Sequence, residues 1–350
     1  MSPAHRRPTR ISRRGLIGGL AALAVAPTAA LVLRAVRRDE PAAAAPMDPP
    51  TGHDVPAKAA ATDPLPTLTG GGPVPYKRGS VMFGSYVDLA GQTTEQAFAL
   101  RRRQLGRDQR IVHLFFDWTD TLPRSIPFLP SHAVPMISWR GCAYQDILDG
   151  SSDALILRAA RNLSRLDRPT LLRWGWEMNG DWYPWGGWRN DQATGDFAKC
   201  WQRIHRLFGS AGADNVSWVW SLNWNSRPDV PGNQYPAYYP GDRYVDWVAV
   251  DGYNLHHELP QTMFGKIIEQ YGLRKPIMIS EVGAVDRGGT TKGDWITAFA
   301  AWVRAHPEVG AVAWFDTDTH PTYHEKWRVD TDPQSLAAYV AMARDPYFGG

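Results

Sequence analysis

Thr170-Leu171-Leu172-Arg173-Trp174-Gly175-Trp176-Glu177, the helical pattern Thr194–Phe208 and then Val216–Asn223 together spell one strand–helix–strand unit. Reading outward from it, short β-like runs recur at Val81–Val87, Ile111–Asp117, Val134–Trp139, Trp247–Tyr253, Pro276–Gly283 and Gly310–Asp316. Helical patterns fall between them at Thr94–Leu105, Ala154–Arg165, Gln261–Tyr271 and Trp295–Ala305, and an amphipathic stretch, Pro333–Arg344, closes the chain. Strands that alternate with helices predict a parallel sheet built from βαβ units. Eight of them fit the roughly 250 residues of a (β/α)8 TIM barrel. The link between the second and third runs is short and Pro-rich, which predicts a degenerate helix there. The alternative, an open doubly wound sheet, usually carries a Gly-rich phosphate loop after its first strand. Gly84-Ser85-Tyr86 is not one.

Ahead of the barrel the pattern changes. Arg6, Arg7 and Arg10 precede Ser12-Arg13-Arg14-Gly15-Leu16-Ile17, and an apolar stretch runs from Gly15 to Leu33. The order basic, apolar, small-residue predicts an export signal over residues 1–38, of twin-arginine type. Ala24-Val25-Ala26 is one candidate cleavage site. The stretch is also close to the ~20 residues that span a bilayer, so an uncleaved anchor remains the alternative, and the only expected membrane contact. Residues 39–75 are rich in Pro, Ala, Gly and Thr with no apolar period, and predict a linker. The barrel domain is expected over 76–350.

A 350-residue chain that is 43% hydrophobic and 21% charged is globular rather than disordered or fibrous. The formal charge of +3 misleads, because eight of the 38 basic residues are arginines in the acid-free leader. The remainder sets 30 basic against 35 acidic residues, a balance of −5 that argues against nucleic acid as a partner. Sixteen tryptophans suggest aromatic surfaces in a cleft, on which sugar rings stack. Cys142 and Cys200 allow one bridge at most and no disulfide framework. No His/Cys cluster has zinc spacing; His320, His324 and Glu325 follow a loop pattern around Pro321, and no metal is expected. GxSxG and HExxH are both missing, which removes the common serine-hydrolase and zincin readings.

A barrel places its active site at the C-terminal ends of its strands. The runs end in Asp117-Trp118, Glu177-Met178-Asn179, Asn223-Trp224-Asn225, Asp251-Gly252-Tyr253, Ser280-Glu281 and Trp314-Phe315-Asp316. Glu177 and Glu281 stand out because each directly follows an apolar run, where an unpartnered carboxylate is costly. Alternation puts Glu281 on one face with Ile279 and Ile277, and Glu177 with Gly175 and Arg173. If those faces are the interior, Arg173 sits among the carboxylates, and which one it serves stays open. The pair also fits two salt-bridged structural glutamates. Asp117, Asp251 and Asp316 are ranked lower, as turn or cap residues.

The segment Leu172-Arg173-Trp174-Gly175-Trp176-Glu177-Met178-Asn179-Gly180-Asp181-Trp182-Tyr183-Pro184-Trp185-Gly186 resembles the acid/base segment of glycoside hydrolase family 26. Pro276-Ile277-Met278-Ile279-Ser280-Glu281-Val282-Gly283 is similar to that family's nucleophile strand. The resemblance spans about residues 80–345. It implies a retaining, endo-acting hydrolase of β-mannan or a related β-glucan, working without a cofactor as a monomer. Glu177 would be the acid/base and Glu281 the nucleophile, at the ~5–5.5 Å separation of retaining enzymes. It also implies supporting or sugar-binding roles for Arg173, Trp176, Asn179, Trp182, Trp185, Asn223, Tyr253 beside the nucleophile, and Trp314 as a sugar platform. The sequence departs at Trp176, where many family mannanases have histidine. Two non-enzymatic readings remain: a glycan-binding barrel that does not cut, and a cell-envelope scaffold.

Overall fold

The computed structural model describes residues 70–320 and 327–350. The leader, most of the linker, and His324 with Glu325 lie outside the described residues. Eight parallel strands close in chain order into a barrel: β1 (Met82–Asp88), β2 (Ile111–Phe116), β3 (Val134–Trp139), β4 (Thr170–Trp174), β5 (Val216–Asn223), β6 (Trp247–Asn254), β7 (Ile277–Ala284) and β8 (Val309–Thr317). The β1–β8 pairing that closes it runs from Met82↔Ala311 to Asp88↔Thr317. The open-sheet alternative is thereby removed. Around the barrel lie α1 (Thr94–Leu105), α2 (Tyr144–Leu148), α3 (Asp153–Leu163), α4 (Thr194–Ser210), α5 (Pro260–Tyr271), α6 (Thr291–Ala305) and α7 (Pro333–Arg344). No helix joins β2 to β3, as the Pro-rich link predicted, and β5 reaches β6 through three short 3-10 turns.

Alternation along each strand sorts its side chains between two layers. Outward residues such as Leu114, Trp139, Trp174, Trp220 and Trp314 pack against Phe197, Trp201, Phe299 and Tyr339 of the helices. Nine of the sixteen tryptophans are fully buried, so the surplus mostly fills core rather than surfacing a cleft.

Inward residues Met82, Ile111, Val134, Met136, Leu171, Val219, Trp247 and Met278 fill the N-terminal half of the barrel. Residues 70–75, which composition places in the linker, are part of this closed end. Val74 is buried, its N–H donates to Ser217 Oγ at 2.8 Å, and the Trp247 indole donates to the carbonyls of Gly71 and Val74. A Pro- and Gly-rich composition hides this, because those bonds run through backbone atoms.

Candidate active site

β4 ends at Trp174, earlier than the apolar run suggests. Gly175 (φ 56°) and Glu177 (φ 53°) then take left-handed conformations, so the chain leaves the pleat before Glu177. For glutamate that conformation costs about 1–2 kcal/mol. Two backbone bonds hold it, from Glu177 N–H to the Ser221 carbonyl at 3.0 Å and from Gly180 N–H to the Glu177 carbonyl at 2.9 Å. Asn223, at the end of β5, donates from Nδ2 to Glu177 Oε1 at 2.6 Å, and the Trp182 indole donates to Oε2 at 3.0 Å. Asn179 fixes Asn223 in turn, donating to its carbonyl at 2.8 Å and accepting from its N–H at 2.9 Å. Gly180 lets Trp182 fold back, since a Cβ there would stand 2.4 Å from Trp182 Cζ2.

Simple alternation fails on β7. Ile277 and Ile279 face the helices and Met278 faces the barrel interior, which would send Glu281 outward. The register skips a residue here: Val250 pairs with Ile279, but Asp251 pairs with Glu281. This bulge at Ser280 brings both Ser280 and Glu281 to the interior. Arg173 Nη2 and the Tyr253 hydroxyl each donate to one Glu281 oxygen in close contacts. Arg173 therefore serves Glu281, and it serves Asp251 as well, through Nη1 at 2.9 and 2.8 Å. Its Nε donates to Ser138 Oγ at 2.7 Å. Asp251 accepts further bonds from Ser280 at 2.6 Å and Ser221 at 3.2 Å, so it is a buried counter-charge rather than a cap.

The two glutamates occupy different electrostatic settings. Glu177 has no cation in hydrogen-bond contact among the described residues. Burial, then the negative charges of Asp251 and Glu281, push its carboxyl well above the usual range, against the pull of Asn223 and Arg173. Burial also pushes Asp251 up to about 7, against Arg173. The Arg173 guanidinium, although buried, is held charged by Asp251 and Glu281. His113, whose Nε2 lies 2.6 Å from Ser138 Oγ, is pushed well below its ordinary value by burial and by Arg173, and so stays neutral. A carboxyl held toward its protonated form in this way is able to act as a general acid.

The aromatic residues divide less simply. Trp176 is buried, with its ring 4.9 Å from the Arg173 guanidinium carbon and 5.3 Å from the Phe115 ring. Trp185 is buried too and does not line the cleft. Its indole holds the Trp176 carbonyl at 2.7 Å. Trp182 is half-buried and, with Tyr183, Arg189 and Asn190, lines an open cavity of about 480 Å³. Trp314 is not a sugar platform. Its exposure is 0%, and it packs on Trp295, Phe299 and Tyr339. Strand parity makes Phe315 the inward neighbour, where it contacts Tyr86 and Tyr253. Asp316 likewise faces α1 and pairs with buried Arg101. Asp117 pairs with Arg140 at 3.2 Å on the rim. Both cysteines are free thiols.

Sequence reasoning passed over His113, Ser138, Tyr183 and Trp327, the last packed behind Tyr253 at 4.9 Å. Alternation from Ile111 through His113 to Phe115 was the available signal for His113.

The family model for glycosyl hydrolase family 26 matches residues 136–335, more than half of the chain, and the protein belongs to that family. Endoglucanase H of Acetivibrio thermocellus is 31% identical over 266 residues, covering 71% of this chain and 29% of that protein. A β-1,3-xylanase, TXYA, of a Vibrio species is 37% identical over 106 residues, covering 30% of this chain and 21% of the relative. The chain thus spans less than a third of the length of either relative. A family 26 β-mannanase from Bacteroides ovatus has the same fold, with a TM-score of 0.57 at 14% identity, covering 77% of this chain and 90% of that one.

Proposed function

We propose that this protein is a retaining, endo-acting glycoside hydrolase of a β-linked glucan or mannan, with Glu177 as acid/base and Glu281 as nucleophile. The observation that carries the reading is the pair itself. One carboxyl is held toward its protonated form and the other is bonded by Arg173 and Tyr253, both at the C-terminal mouth of the barrel. In the first step a Glu281 oxygen attacks the anomeric carbon while Glu177 protonates the glycosidic oxygen, the C–O bond breaks and the leaving chain departs as an alcohol. In the second, Glu177 takes a proton from water, the water oxygen attacks the same carbon and the bond to Glu281 breaks. Proton and carboxylate are supplied by the two side chains, so the chemistry calls for no cofactor.

Trp182 joins the acid to the open cavity beside it, which supports binding of sugar units beyond the cleaved one and hence endo action. The likeness to an endoglucanase over most of the chain, with Trp176 before the acid, favours glucan over mannan. Export is part of the same proposal and rests on the leader pattern; fractionation of expressing cells tests it. Reducing-sugar release from β-mannan, mixed-linkage β-glucan, xylan and cellulose tests the activity, with Glu177→Ala and Glu281→Ala beside the native protein. Activity on one polymer that both variants lose is expected. Silence on all four, or activity that survives either substitution, contradicts the assignment.

A further inference from the structure

Tyr183 has no part in the scheme above, yet its ring packs on Trp176, which lies against Arg173. Its ring stacks on Trp185 at 4.2 Å and 12°, and meets Trp176 edge-on at 5.4 Å. Those contacts fix the ring plane, and the position of the hydroxyl follows. The charged groups acting on it are Glu177, Glu281, Arg140 and Arg173. None of them bonds it. The hydroxyl has no hydrogen-bond partner among the described residues, and it is not among the fully buried unpaired atoms.

Other tyrosines nearby differ. The hydroxyl of Tyr144 donates to the Trp185 carbonyl at 2.8 Å, that of Tyr238 to Asn233 at 2.5 Å, and that of Tyr253 to Glu281. Phenylalanine would make every ring contact Tyr183 makes, so packing accounts for the ring and leaves the oxygen unexplained. Tyr183 also lines the open cavity together with Trp182, whose indole donates to Glu177. Burial and the two glutamates push its phenol well above its ordinary value, which keeps the O–H as a donor.

From this geometry we infer that Tyr183 contacts substrate, donating its O–H to an oxygen of the uncharged pyranosyl unit seated between Glu177 and Glu281. The inference rests on the glycanase reading and deepens it, by naming a binding residue for the sugar at the cleavage point. Tyr183→Phe tests it, because the ring stays and only the oxygen goes. Loss of one neutral hydrogen bond predicts a fall of roughly five- to tenfold in kcat/KM. A similar weakening is expected in the affinity of a Glu281→Ala background for an oligosaccharide of the polymer that the native protein cuts, with an unchanged melting temperature. A kcat/KM and a Kd both within about twofold of the parent proteins overturn the inference and leave the glycanase reading standing. A native protein that neither cuts nor binds any glycan of the panel overturns both.

Discussion

Replacing Arg173 by methionine keeps most of the stem and removes a charge that bonds two carboxylates. Arg173 is fully buried, and its guanidinium makes two bonds to Asp251, one to Glu281 and one to Ser138. Removing the cation from a buried ion pair typically costs about 3–5 kcal/mol, since the partner charge is left uncompensated. The expected loss for Arg173→Met at pH 7.5 is therefore about 3–5 kcal/mol of unfolding free energy, read by urea titration.

The pH dependence supplies a second check on the same variant. Arg173 favours the ionised form of Asp251, whose carboxyl is already pushed up to about 7 by burial. Without the guanidinium it rises further. The folded variant then holds a proton that the unfolded chain, with an ordinary Asp near 3.9, releases. Stability relative to the native protein is thus lost as pH rises through neutrality and partly regained toward pH 5. Arg173→Met/Asp251→Asn should recover part of the loss at pH 7.5, because one of the stranded charges has gone. A loss below about 1 kcal/mol at pH 7.5, or one that grows toward acid pH, refutes the reasoning.

Asn223→Ala removes a hydrogen bond that pulls the Glu177 carboxyl down, so the alkaline limb of kcat/KM should move to higher pH, with about a tenfold lower maximum. The pH–rate profile checks it. Gly180→Ala puts a Cβ where Trp182 lies, so the indole must move and its bond to Glu177 is lost. Activity should fall on the order of tenfold with a small change in melting temperature, and Trp182→Phe should resemble it. Trp314→Ala should cost about 3–5 kcal/mol in chemical unfolding, as a buried aromatic of the helix layer does. The milder Trp314→Phe should leave KM unchanged, whereas a sugar platform would raise it.

The barrel was legible because every βα unit repeats one pattern, and strand ends select the same face of a barrel whatever the loops do. Glu177 and Glu281 could be picked out for that reason. Their geometry could not. Glu177 reaches its place through two left-handed residues, and Glu281 through a bulge at Ser280. Neither leaves a periodic trace, so both residues reach the barrel mouth by a path that simple alternation does not describe. Trp314 shows the reverse case. The resemblance suggested a platform, while plain alternation against Phe315 and Ala313 would have turned it outward. Asp251 was undervalued because a strand-end aspartate looks like a cap until its arginine is seen beside it. Residues 70–75 were misplaced because composition does not report backbone carbonyls that a buried tryptophan needs.

The central claim is a double displacement through Glu281, and the most direct measurement is the anomeric configuration of the first product, followed by proton NMR during early hydrolysis of the preferred β-glycan. Retention predicts that the β-anomer appears first and that the α-anomer grows only by mutarotation. An α-anomer formed first would mean a single displacement by water, and would contradict the nucleophile assigned to Glu281.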